Sequence, residues 1–165
     1  MNREFRSNTR ILLVLMLIWT MALPLSEAKS DSNGRKGYAC LTGTYLIKEG
    51  SGTRGVWTFT GDGNFIGTSS AQPLLNFSTL QGVWEQTDWK RAQATVMDFT
   101  VDDQGNLVNI ARVDIVIETD RKSCNTIEGE FSLRFFEEGE DPMKPETDTG
   151  SPIMDIFKGE RITTP

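Results

Sequence analysis

Between Arg54 and Phe136 apolar and polar residues alternate in short runs, and no helical period of comparable length interrupts them. Alternation with a period of two marks strands that bury one face and wet the other. It is cleanest from Thr126 to Phe136, where Ile127, Gly129, Phe131, Leu133 and Phe135 share one parity and Glu128, Glu130, Ser132 and Arg134 the other. A Gly-x-aromatic triplet recurs at Gly43-Thr44-Tyr45, Gly55-Val56-Trp57 and Gly82-Val83-Trp84. The pattern predicts strands over Leu41–Lys48, Gly55–Thr60, Phe65–Ser70, Leu80–Gln86, Arg91–Thr100, Leu107–Glu118, Thr126–Phe136 and Ile153–Ile162. Between them lie Gly61-Asp62-Gly63-Asn64, Thr87 to Lys90 and Val101 to Asn106, which carry turn chemistry. Strands in series must hide their edges, and closing the sheet on itself removes both. The expected fold is therefore all-β, an antiparallel up-and-down meander of about eight strands closed into a small barrel.

The first residues read as an address. Arg3, Arg6 and Arg10 precede a mostly apolar run, Ile11 to Leu25, broken by Pro24 and followed by Ser26-Glu27-Ala28. That order predicts a cleaved signal peptide over 1–28 and a protein that is extracellular or periplasmic. A membrane anchor is the competing reading, near the lower length limit for spanning. A flexible leader over 29–37 and a single barrel domain over 38–165 follow, with an acidic, proline-containing loop at 137–152. Cys40 and Cys124 are the only two cysteines. In an oxidising compartment an even count favours a disulfide. In a meander both fall at one end of the barrel, just before the first and the seventh strand. Closing so long a loop would contribute about 4–5 kcal/mol in the entropic view.

Charge and composition narrow the function. The formal net charge is −6, with no basic stripe, which argues against nucleic acid and anionic membrane surfaces. Histidine is absent, so no Ser-His-Asp set can form and the commonest metal ligand is missing. No cofactor or metal is expected. Asn76-Phe77-Ser78 is an N-glycosylation acceptor in a eukaryotic source.

Candidate site residues come from strand parity. Trp57, Phe59, Trp84, Phe131 and Phe135, with Tyr45, can all face one interior, beside glycines at 43, 55, 67, 82 and 129. Two readings stay open: the rings wall a cavity for an apolar ligand, or they fill the space opposite the glycines. Asp98 shares parity with Ala92, Ala94 and Val96, so it either faces inward or leaves Met97 and Phe99 inside and itself in water. Turned inward, it either pairs with Arg112 (beside Asp114) or has a raised pKa suited to acid-base work. The Asp-rich turns lack a full calcium loop and read as hairpin chemistry. The acidic segment with Glu137, Glu138, Glu140 and Asp141 is either solvated or a lid over one barrel mouth.

The placement of Gly43-Thr44-Tyr45 in the first strand, with Arg161 in the last, resembles the calycin superfamily, which includes the lipocalins. There the first strand carries Gly-x-Trp and an Arg from the end of the domain packs across the ring. This chain has Tyr45 in place of the Trp and shows no helical period after its last strand. The resemblance implies secretion, barrel closure by Tyr45 and Arg161, and a ligand cup. The expected function is a secreted, non-enzymatic β-barrel that binds a small, mostly apolar ligand. Two alternatives are a cofactorless isomerase or cyclase using Asp98 or Arg112, and a solid barrel that serves adhesion through Trp89.

Overall fold

The structure, a computed structural model, describes residues 40–165 apart from 121, 138, 148 and 149. The signal peptide at 1–28, the leader at 29–37 and Glu138 of the acidic loop lie outside the described residues. Eight strands follow in order: β1 (Gly43–Glu49), β2 (Arg54–Phe59), β3 (Asn64–Ser69), β4 (Leu80–Gln86), β5 (Arg91–Val101), β6 (Leu107–Thr119), β7 (Thr126–Phe136) and β8 (Ile153–Arg161). Each pairs antiparallel with the next, and β8 returns to β1 with Tyr45 opposite Arg161, so the sheet is a closed barrel. The expected all-β meander is what forms.

The turns follow from their residues. Between β2 and β3, Gly63 takes φ 89° and the Thr60 hydroxyl donates to Asp62. Between β5 and β6, Gly105 takes φ 84°, while Asp102 accepts from the backbone amides of Gln104 and Asn106. These bonds hold both carboxyls below the usual range: the Thr60 bond acts first for Asp62 and the Asn106 side chain for Asp102. The Asp-rich segments thus use their carboxylates to build turns.

One helical turn, α1 (Gln72–Leu75), sits in the β3–β4 connection. Pro73 lies in its first turn, and Asn76 ends it at φ 50°. Four residues are too few to show a period, so no alternation or helical pattern signals it.

Inward parity gathers the core at one end of the barrel. Phe59 is its centre, edge-on to Tyr45, Phe65 and Trp84 at centroid distances of 5.9, 5.1 and 5.9 Å. The Trp84 indole N–H donates to the Thr60 carbonyl at 3.0 Å, which gives its polar edge a partner. Outside this plug, Cys40 and Cys124 form the expected disulfide, with Cα atoms 5.1 Å apart. Arg161 lies 4.8 Å from the Tyr45 ring centre and bonds its hydroxyl. Rings, disulfide and guanidinium together shut this end.

The β7–β8 connection is held at Pro142 against the outside of the barrel. Arg112 points out of the barrel, and its Nη1 donates to the Pro142 carbonyl at 2.8 Å, which ties the connection to the outer wall of β6. Phe136, of opposite parity to Phe135, is buried outside the core cluster on this same outer side.

Candidate functional site

The half of the barrel away from the disulfide is hollow. A cavity of about 450 Å3 opens between the β1–β2, β3–β4 and β5–β6 connections. Its far wall is made by small residues facing large ones. On β6, Ala111 and Val113 point inward; their β7 partners are Phe135 and Leu133, and Phe131 lies one inward step deeper. Trp57 on β2 also lines it, backed by Phe65 and Phe157 at centroid distances of 5.5 and 4.8 Å. The rim is apolar and wet: Leu75 of α1 is 63% exposed and Phe135 42%. An isolated bridge from Phe77 to Thr100 and the Val101 amide donating to the Asn76 carbonyl fasten the α1 segment across the end of β5.

Asp98 enters this cavity from β5. The parity that buries Ala92, Ala94 and Val96 carries it inside, where it is 5% exposed. Phe99, which the alternative placed inside, is instead 52% exposed. The ion pair with Arg112 does not form either. That guanidinium faces outward and grips Asp114, with Nη2 to Oδ1 at 2.9 Å. Asp98 Oδ1 has no hydrogen-bond partner, and burial pushes the carboxyl up to about 6. Asn109 lines the same cavity with its Oδ1 also unpartnered. Glu49 stands at the rim, its pKa raised by burial first and by Asp155 second, against an opposing bond from Ser51. No lysine or arginine is among the described lining residues.

The remaining candidates divide by depth. Trp57, Phe131 and Phe135 line the cavity, whereas Phe59 and Trp84 lie in the packed plug and do not. Tyr45 and Arg161 close the opposite end. Asn76 is exposed, with its side-chain amide 3.1 Å from Asp103 Oδ1. Trp89 is 57% exposed beneath Lys90, whose Nζ lies 4.5 Å from the ring centre. Several lining residues were missed at the sequence level. Asn109 shares parity with Ala111 and Val113, so a polar residue on an apolar face was its signal. Leu75 and Phe77 were signalled only by apolar residues inside a connection.

Among the described residues no helix is long and apolar enough to cross a membrane. No family model, curated protein or solved structure matches the chain. The cavity is therefore the ground for assigning a function.

The Asp98 environment has a measurable consequence. An acid whose folded pKa is raised holds its proton more tightly in the folded state, so stability falls as pH rises from the unfolded value of about 4 through the folded value. For Asp98 that window ends above about 6. The Asp98→Asn variant will match the wild type below pH ~4 and become increasingly the more stable of the two toward pH ~7. Thermal melts of both proteins across this range check it. Subtracting the two curves removes the contribution of Glu49, which has the same sign. A difference that does not change with pH would show that Asp98 titrates as it does in water.

Proposed function

We propose that this protein is a secreted, lipocalin-like binding protein whose barrel takes up one small, mostly apolar molecule and performs no chemistry on it. The observation that carries the reading is the cavity. It is walled by Trp57, Phe131, Leu133 and Phe135, and it lies in a barrel whose other half is packed solid. Its volume is in the range of small-molecule sites, and it opens between the β1–β2, β3–β4 and β5–β6 connections. The closed meander, and Tyr45 stacked on Arg161, support placement with the calycins. The disulfide and the apolar N-terminal run support an oxidising destination.

The test fills the cup. Ala111 is 2% exposed and points into the cavity, so Ala111→Trp puts an indole where the ligand would sit. The neutral probe N-phenyl-1-naphthylamine is expected to bind the wild type at one site, with energy transfer from tryptophan. It should not bind the filled variant, whose fold persists at a cost of about 1–3 kcal/mol. Equal binding by both proteins would remove the interior from the account.

A second reading rests on Asp98, a deep carboxylate facing an open cavity, as the base of a cofactorless isomerase. Arg112, on the outer wall, has no part in it. Recovery of a co-purifying ligand unchanged after incubation favours the carrier, and its conversion favours the enzyme. The interaction module needed a filled interior, and the cavity weighs against it.

A further inference from the structure

We propose that the ligand carries a protonated amine, held by Asp98 at the inner wall of the cavity while its apolar body lies against Trp57, Phe131 and Leu133. The inference rests on the binding-protein reading and adds the chemical class of the ligand.

The cavity has a distinctive polar content. Asp98 is buried to 95% of its surface, aims into the cavity, and has an oxygen with no partner. A buried carboxylate without a cation or donors is costly, and native interiors pair such groups. Among the described residues nothing is placed to pair it. The one arginine on the facing strand at that level, Arg112, points outward and is already bonded to Asp114 and Pro142. The missing partner is therefore expected to arrive with the ligand.

The second polar group agrees. Thr100 pairs with Asn109 and Asp98 with Ala111, so Asp98 and Asn109 are diagonal neighbours on one inward face, roughly 7 Å apart by sheet geometry. Both present an unpartnered acceptor oxygen. An ammonium group offers three donors and no acceptor, which matches two neighbouring unpartnered acceptors on one face. A carboxylate ligand would meet Asp98 and Glu49 with like charge and find no lysine or arginine on the lining. An alcohol could bond one acceptor but leaves the charge of Asp98 uncompensated.

Size sets a further limit. The cavity of 450 Å3 has the room of on the order of fifteen waters, which admits one ring system or one medium alkyl chain with its amine. The apolar body would displace water from the aromatic wall while the ammonium remains at the β5–β6 side.

Three probes of one shape test this: n-octylamine, n-octanol and n-octanoate, titrated calorimetrically at neutral pH into the wild type and into Asp98→Asn. The amine is expected to bind the wild type roughly ten- to a hundredfold more tightly than the alcohol, with octanoate weakest. In Asp98→Asn the amine should fall to the level of the alcohol, whose own affinity is unchanged, which also shows that the variant is folded. Equal binding of amine and alcohol by the wild type, or an amine preference that survives in Asp98→Asn, would overturn the amine assignment and leave the cup standing. Preference for octanoate would overturn it too. If none of the three binds, the amine assignment is overturned, and if the naphthylamine probe also fails, the cup reading falls with it.

Discussion

Gly82→Ala will destabilise the barrel by about 3 kcal/mol, the upper end of what overpacking costs. Gly82 faces inward on β4, between Phe65 of β3 and Val96 of β5. A Cβ there would overlap the Thr95 carbonyl oxygen and stand 2.6 Å from Val96 Cα. Both obstacles are backbone, so no rotamer change can relieve them. The strand would have to move away from β5 and open the sheet at this close approach. Gly129 marks the same situation between β6 and β7, where a Cβ would overlap the Val116 carbonyl oxygen and press on Phe157. Glycines at such close approaches let a small barrel close. Gly61→Ala is the control: its nearest neighbour would be Thr42 Cγ2 at 4.0 Å, and it is expected to be nearly neutral. Urea denaturation of both variants measures the contrast. If Gly82→Ala unfolds at the wild-type midpoint, the close approach of β4 to β5 is not sterically enforced.

The same glycines show how far parity reaches. Alternation placed Trp57, Phe59 and Trp84 on one interior, and they are there. It did not say that Trp57 borders the cavity while Phe59 and Trp84 fill the plug. Parity assigns a face, and depth along the axis comes from the stagger of the strands, which alternation does not encode. Asp98 shows a different gap. The set Ala92, Ala94, Val96 and the set Thr95, Met97, Phe99 are both acceptable interiors, and a one-residue slip exchanges them. Only the pairing of Asp98 with Ala111 settles which is inside. For the β7–β8 connection, three prolines and its acidity identified a loop. Its docking on the outer wall depends on Arg112 and Pro142, thirty residues apart, and no local pattern carries such a contact. The disulfide was legible because strand polarity alone brings Cys40 and Cys124 to one end.

Arg161→Ala will cost the protein about 3–5 kcal/mol, although the disulfide beside it stays intact. Its Nε donates to the Cys124 carbonyl at 2.8 Å and its Nη1 to the Thr42 carbonyl at 2.6 Å, while Nη2 reaches the Cys40 carbonyl and the Tyr45 hydroxyl. One planar group thus ties β8 to the entry of β1 and to the β6–β7 turn. Cys124 holds φ 52°, an uncommon conformation for a residue with a side chain, and its carbonyl in that conformation accepts from Arg161. Gly43, at φ 145°, has no Cβ because the guanidinium occupies that space. Without Arg161 the three carbonyls lose a charged donor in a partly buried pocket, and the Tyr45 hydroxyl keeps only its own bond to the Cys40 carbonyl at 3.1 Å. Arg161→Lys will recover a minor part of the loss, since an ammonium keeps the charge but lacks the planar fork that reaches all of these acceptors. Denaturant midpoints under non-reducing conditions measure both variants. The cavity lies at the other end of the barrel, so the folded fraction of each should still bind the naphthylamine probe at wild-type affinity. Wild-type stability in Arg161→Ala would mean that the disulfide and the aromatic plug close this end unaided. Lost probe binding in a folded variant would mean that the two ends of the barrel are coupled through the core around Phe59.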